Sequence, residues 1–421
     1  MCQIIRGVQR QGYSRDQLLL RAKHERDRPS LSRDKLRKKT VTSTSADGLM
    51  PFHAMEILKR AKAIEASGRT VCHLEVGEPG SPPAPRVIEA VAKALPQAQG
   101  YTNAKGLAEL REGLAGYYAH QHGVAVDPDA ILATMGSSAG FIIAFHAAFK
   151  PGARIAITRP GYPAYVNTLL GLGFAIAEIP VTAENGWKLT GADIVAAHAA
   201  EPFDGMLFAS PANPTGAAVD REQMGDIVVT CKRLGVRLIS DEIYHGLDYR
   251  GPSVSALELT REAIVINSFS KYYCMTGWRI GWMVLPDELV RRAEILQQNL
   301  FISAPTLSQI AATVALGERE YSEQQKAGYA ANRGLLNDGL ASLGFHMGSP
   351  SDGAFYAYAD ISRFSNDSMS FCEAMLDEAG VAATPGVDFD RVGGNRYVRF
   401  SYAGKQETVD VALERMRAFL K

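Results

Sequence analysis

One lysine stands between serines and aromatics in "SFSKYYCMTGWRIGW", residues 268–282, and an arginine follows eight residues later among glycines and tryptophans. The run before it, "AIVINSFS", reads as a buried strand that delivers the Lys271 ammonium at or near the interior. Burial disfavours the charged form and lowers an amine's pKa, which makes a lysine a nucleophile for a carbonyl carbon. The plainer reading is a lysine just past a strand end, reaching water by its flexible stem. Lys271 alone does not separate the two.

Other strand ends add to it. Ligands of open α/β sheets bind outside the carboxyl ends of the strands. "ILAT" is followed by "MGSSAG", "IAIT" by "RPGYPAY", "MLFAS" by "PANPTG", and "VRLIS" by "DEIY". Ser137 and Ser138 would open a helix whose free backbone N–H groups suit a phosphate, or they simply cap it. Asp241 caps a helix or faces a ligand, and Asn213 in "NPTG" shapes a turn or does more. Arg279, flanked by glycines in an apolar setting, suits a buried anion better than a surface acid. Taken together, one rim would carry a nucleophilic amine, a phosphate cradle, a carboxylate, a phenol and an aromatic plate. Those are the needs of pyridoxal 5′-phosphate: an aldehyde, a phosphate, and a ring nitrogen kept protonated by an acid.

The elements that position these residues follow from periodicity. Residues 48–66 carry apolar residues at helical spacing, with Gly68 as a stop, and 86–95 and 107–120 read as amphipathic helices. Short apolar runs alternating with helix-length segments then indicate a mostly parallel sheet covered on both faces. Residues 287–340 read as largely helical, and from about 343 onward the pattern suggests an α+β unit with its own small sheet. The charge-free stretch 130–149 is about long enough to span a bilayer. Its central "MGSS" makes it strand, turn and buried helix instead.

Composition narrows the partners. The 421 residues hold 45 basic and 45 acidic side chains, which argues against a polyanion partner for the body. Residues 1–40 carry a net +8 and lack sustained apolar periodicity, so they read as a flexible extension. Four acids among them count against a transit peptide. Five scattered cysteines without metal spacing indicate a reducing compartment, hence a cytoplasmic protein with neither disulfides nor a metal site. Cys274, close to Lys271, reads as small apolar packing.

From about residue 48 to the C-terminus the chain resembles the class I/II aminotransferases, through "YTNAKG", "NPTG", "SDEIY", "SFSKYYCMTGWRIG" and "VRFSYA" in this order. The resemblance implies a pyridoxal-phosphate-dependent transferase fold of the aspartate aminotransferase type. That fold has a large α/β domain with a mostly parallel central sheet and a smaller α+β domain. It places an arm and helix at 41–70, the cofactor-binding domain at 71–300 and the small domain at 301–421. It implies that Lys271 forms the internal aldimine and shuttles the proton between substrate Cα and cofactor, and that Asp241 pairs with the pyridinium nitrogen. Tyr244 and Asn213 would bond the phenolic oxygen, and Tyr162 would stack on the ring. Ser137, Ser138, Ser268 and Arg279 would hold the phosphate. Tyr101 would reach across a homodimer to the neighbour's phosphate. Arg399 would clamp the substrate α-carboxylate, with Gly77, Asn213 and Phe355 beside the substrate.

The implied activity moves an amino group between an α-amino acid and a 2-oxo acid by ping-pong half-reactions. A carbon–sulfur β-lyase on the same scaffold is the alternative, because the carbanion chemistry is shared. A DNA-binding regulator would need a folded module in front, for which forty residues with Pro29 are too few. Asp390 after Phe389 and Ala212 beside Asn213 depart from the family's pattern, outside the assigned roles. Side-chain specificity is not legible.

Overall fold

Runs such as "ILAT" and "IVINS" hold no charged residue, and a strand of that kind must be covered on both faces. Strands β2 (Ile131–Thr134), β5 (Gly205–Ala209), β7 (Ile264–Ser268) and β8 (Gly281–Val284) are buried at every position. With β3 (Arg154–Arg159), β4 (Ala175–Pro180) and β6 (Arg237–Asp241) they form a seven-stranded sheet in the order β2-β8-β7-β6-β5-β3-β4. The strands from β4 to β7 pair parallel, and β8 runs antiparallel to both neighbours. The computed structural model describes residues 48–98, 100–348 and 351–421. The basic segment 1–40 and residues 41–47 lie outside the described residues.

Alternation along the strands divides the apolar residues between two cores. Ile239, Ile264, Ile266 and Met283 pack with Phe141 and Phe145 of the helix Gly136–Ala148. Leu238, Val265, Trp282 and Val284 pack on the other face with Leu110, Leu114 and Tyr118 of the helix Ala108–His122. The charge-free stretch is therefore β2, a turn and a buried helix, as its residues indicated. Among the described residues no helix is long and apolar enough to cross a membrane.

The C-terminal part builds a second, four-stranded antiparallel sheet. It contains β9 (His346–Met347), β10 (Tyr356–Asp360), β12 (Thr384–Pro385) and β13 (Tyr397–Ser401) in the order β12-β13-β10-β9. Nearby, β1 (Cys72–His73) pairs parallel with β11 (Val381–Ala382). Ile57 and Ala61 of the helix His53–Ala66 share a core with Leu336, Leu376 and Phe400. Asp388 accepts hydrogen bonds from the backbone N–H groups of His53 (3.0 Å) and Ala54 (3.2 Å), where a helix N-terminus favours negative charge. Gly68, with φ +91°, ends that helix in the left-handed region.

Candidate active site

A cavity of about 470 Å³ opens at the carboxyl ends of the central strands and reaches β13 of the second sheet. Asp241, the last residue of β6, is buried there. Its carboxylate accepts hydrogen bonds from the Tyr165 hydroxyl and from the Ile243 N–H (3.1 Å). Burial pushes its pKa up to about 6, and the two donors oppose that shift.

Lys271 follows β7 by three residues and lines the same cavity. Its Nζ donates to the Gly77 carbonyl and lies 5.7 Å from the Phe355 ring centroid and 5.9 Å from that of Tyr244. Burial, and then the Arg399 charge, lower its pKa to about 8. The amine is thus enclosed rather than extended into water. A side chain at Gly77 would strike the Tyr356 hydroxyl, 2.0 Å from the Cβ position, which explains why this carbonyl can approach.

Arg399 carries the strongest signal. Only 2% exposed, it lies on β13 with its guanidinium 4.3 Å from the Tyr356 ring centroid and 4.8 Å from that of Phe389. It donates to Asn213 Oδ1 (2.9 Å), the Glu75 carbonyl (2.5 Å) and Thr384 Oγ1 (3.2 Å), while its Nε has no hydrogen-bond partner. No described carboxylate forms a salt bridge with it. A buried cation without a counter-ion is costly, and a ligand carboxylate would remove that cost.

The anion cradle lies at the N-terminus of the helix Gly136–Ala148, where Ser137, Ser138 and Arg279 line the cavity. Gly136 has φ +72°, and a Cβ there would sit 2.5 Å from Arg279 Nη2, so only glycine admits the guanidinium. Arg279 is itself left-handed (φ +52°), and its Nη1 donates to the Thr276 carbonyl at 3.0 Å. Arg279 itself is exposed. Tyr162 lines the cavity edge-on to Tyr165, with centroids 5.3 Å apart, and burial pushes its phenol up to about 12. Tyr244 and Tyr356 share a hydrogen bond of 2.8 Å between hydroxyls.

Two expected wall residues stand elsewhere. Ser268 is buried, with its hydroxyl bonded to the Ile280 carbonyl (3.0 Å) and Ser270 Oγ (2.8 Å), and Ser270 lines the cavity instead. Phe355 lies behind the wall, which Tyr356 forms. Phe355 and Tyr356 are adjacent and enter a strand facing opposite ways, so Tyr356 takes the wall position. Ser270 lies two residues past the end of β7, where the chain has turned toward the cavity. Tyr101 is 86% exposed and does not line this chain's cavity. The sequence reading passed over Tyr165 and Thr384. Tyr165 lies in the first turn of the helix Pro163–Gly171, three positions after its N-cap Tyr162, and the two rings meet edge-on.

The donor set fits pyridoxal phosphate. An enclosed amine would hold the aldehyde carbon, Asp241 the ring nitrogen, Tyr162 the ring face, and Arg279 with the serines the phosphate. Residues 69–416 match the aminotransferase class I and II family. The chain belongs to that family. It is 43% identical to the valine–pyruvate aminotransferase of Mycobacterium tuberculosis over 89% of this chain and 97% of that one. The aspartate/prephenate aminotransferase of Thermus thermophilus is 30% identical, over 90% and 98% of the two chains. The crystal structure of an aminotransferase from Mycobacterium tuberculosis superposes with a TM-score of 0.86 at 42% identity, over 90% of this chain and 98% of that chain. The fold is that of the aspartate aminotransferases, and the protein is a pyridoxal-phosphate-dependent aminotransferase. No observation favours the carbon–sulfur lyase.

Tyr165 carries a prediction of its own. A hydrogen bond to a charged group contributes about 1.5–3 kcal/mol. Tyr165→Phe should therefore weaken cofactor binding about 10–150-fold, and move the acid limb of activity to higher pH, because Asp241 loses a donor to its ionised form. Equilibrium dialysis and a pH–rate profile measure both. An unchanged affinity and profile would show that the contact does not support Asp241.

Proposed function

We propose that this cavity exchanges the amino group of an α-amino acid with an uncharged side chain for the oxo group of a 2-oxo acid. The observation that carries it is the buried Arg399, without a counter-ion among the described residues, in one cavity with Lys271 and Asp241. When bound, pyridoxal phosphate supplies an exchangeable aldehyde and a ring that accepts electron density from the substrate Cα. With the cofactor bound, Lys271 Nζ would serve as the base that takes the proton from the substrate Cα and as the acid that gives it back. Asp241 holds the proton on the ring nitrogen. Asn213 accepts from Arg399 through Oδ1, which leaves Nδ2 to donate, with the Tyr244 hydroxyl, to the ring's phenolic oxygen. Arg399 fixes the substrate carboxylate, so that the Cα–H bond faces Lys271.

The rest of the wall supports the substrate class. Phe52, Met55, Val76, Phe141 and Ile243 are apolar, and Glu78 adds a negative charge. The wall's lysine and arginines among the described residues are Lys271, Arg279 and Arg399, each assigned above, which leaves none of these for a second carboxylate. The valine–pyruvate relative accords with that reading. A panel of amino acids, assayed by spectral conversion of the bound cofactor to its amine form, tests it. Valine, alanine and leucine should convert it faster than aspartate or glutamate; aspartate as the fastest substrate would overturn the reading.

We place the working enzyme in the cytoplasm, on its cysteine usage, as a homodimer with a site shared between chains. Thr306 Oγ1 donates to the Gly100 carbonyl (2.8 Å), tying the segment before Tyr101 to a turn where Leu300 and Ile302 are exposed. Such apolar side chains suit a partner surface. Sedimentation at falling concentration should show activity lost with the dimer, and Tyr101→Ala should weaken cofactor binding. A fully active monomer would refute the shared site. The division at residues 300 and 301 is kept as our proposal for the two domains.

A further inference from the structure

The turn that carries Asp241 and Tyr244 also carries Glu242 and His245, and these serve a different part of the molecule. His245 lines a second cavity of about 330 Å³, and none of its lining residues lines the first. Three of them are nonetheless chain neighbours of the active site. His245 follows Tyr244, and Tyr272 and Tyr273 follow Lys271.

The fold leaves hydrogen-bonding capacity unused there. His122 Nδ1 is paired with Glu258 Oε1 (2.9 Å), and its buried Nε2 has no hydrogen-bond partner. His245 is 4% exposed, and its Nδ1 has no hydrogen-bond partner either. The two rings are 5.6 Å apart. Buried polar groups are nearly always bonded, so two orphaned nitrogens at one cavity call for an explanation. Glu242 Oε2 lies 3.4 Å from His245 Nδ1 without hydrogen-bond geometry, and that carboxyl is already bonded by Ser240, Ser255 and the Ala256 N–H.

The charges around the cavity define the ligand. Arg319, Glu323 and Lys326 lie at i, i+4 and i+7 of the helix Arg319–Leu343, and Asp248 is a second acid. Among the described residues Arg319 Nη1 meets the His120 ring (3.3 Å), Lys326 Nζ lies 3.9 Å from Glu323 Oε2, Glu323 accepts from the Tyr272 hydroxyl (2.7 Å) and Asp248 from the Ser253 hydroxyl. Two cations and two anions suit neither a phosphate nor a polycation. No group of three metal-ligating side chains occurs among the described residues, which disfavours a metal ion. A zwitterion with an apolar or aromatic side chain satisfies the set. Its carboxylate would meet Arg319 and Lys326, its ammonium Asp248 and Glu323, and its side chain Tyr117 and Tyr273. About 300 Å³ is the lower bound for small-molecule sites, a size for an amino acid rather than a nucleotide.

We propose that this cavity is a second, non-catalytic site for an α-amino acid, acting as an effector through the neighbours of Lys271 and Tyr244. The test is calorimetric titration of the holoenzyme, after borohydride reduction, with each of the common L-amino acids. At least one should bind saturably, one per chain, with the heat surviving Arg399→Ala and vanishing in Arg319→Glu. Lys326→Glu repeats the test should Arg319→Glu fail to fold. The binder should also shift the substrate concentration dependence of turnover in the unreduced enzyme by about 5-fold or more, the lower end of ordinary coupling. That shift should be lost in the same variants. Heat that depends on Arg399 and ignores Arg319 and Lys326 would assign binding to the first cavity. No saturable heat at millimolar concentrations of any amino acid would overturn the proposal. The readout is binding, so it stands or falls apart from transamination.

Discussion

Lys271→Ala should abolish turnover and leave a protein that still takes up pyridoxal phosphate without covalent attachment. Loss of a positioned proton-transfer group alone costs about 10²–10⁴ in rate, and the same substitution removes the one lysine that lines the cavity among the described residues. Lys271→Arg should be as inactive, because it keeps the charge and lacks a group that can lose it. The pH dependence of cofactor capture follows from the lowered pKa. At about 8, roughly one amine in ten is neutral at pH 7, against about one in three thousand for an ordinary lysine. The neutral amine is the nucleophile, so capture by the apoprotein should accelerate with rising pH and level off above about pH 8. Stopped-flow spectra follow the capture, and borohydride followed by peptide mapping locates the attachment. A label on any other lysine, or a rate that keeps rising beyond pH 10, would remove Lys271 from this role.

The parts of this site that were legible in sequence share a physical cause. A strand buried on both faces is an unbroken apolar run, so its end is visible, and the next polar residue is placed at the rim. Asp241 after "VRLIS" and Lys271 after "AIVINSFS" were found in that way. The buried helix Gly136–Ala148 was equally plain, because a charge-free segment broken by "MGSS" has few other readings. Cys274 is buried, as a small packing residue would be, but its Sγ makes a polar contact of 3.7 Å with the Tyr329 hydroxyl. Less legible is which side chain of a short motif lines the wall. Tyr356 lines it beside the adjacent Phe355, and Ser270, two residues past the end of β7, lines it beside the buried Ser268. What was missed was long range. Tyr165 meets Asp241 across 76 residues, and the second cavity gathers side chains from segments between residues 113 and 326. No local pattern records such meetings.

Arg399→Ala should lower kcat/KM for amino acids about 10²–10⁴-fold, since two charge-assisted hydrogen bonds of about 1.5–3 kcal/mol each are lost and 1.36 kcal/mol is tenfold. The geometry explains why lysine is a poor substitute. The guanidinium carbon lies over the rings of Tyr356 and Phe389, at 4.3 and 4.8 Å, and its bonds to Asn213, Glu75 and Thr384 fix its orientation. An ammonium keeps the charge but loses the fork, so Arg399→Lys should fall between wild type and Arg399→Ala. Asn213 adds a second consequence. With Arg399 gone its Oδ1 loses a donor, so the amide that faces the cofactor loosens and the resting spectrum should shift slightly without bleaching. Removing the cation also removes the second-largest cause of the low Lys271 pKa, so capture of the cofactor should need a higher pH in this variant. The decisive comparison is an amino acid against its decarboxylated amine. A carboxylate clamp predicts a large loss for the first and a small one for the second; equal losses, or a bleached resting spectrum, would mean that Arg399 supports the cofactor or the fold instead.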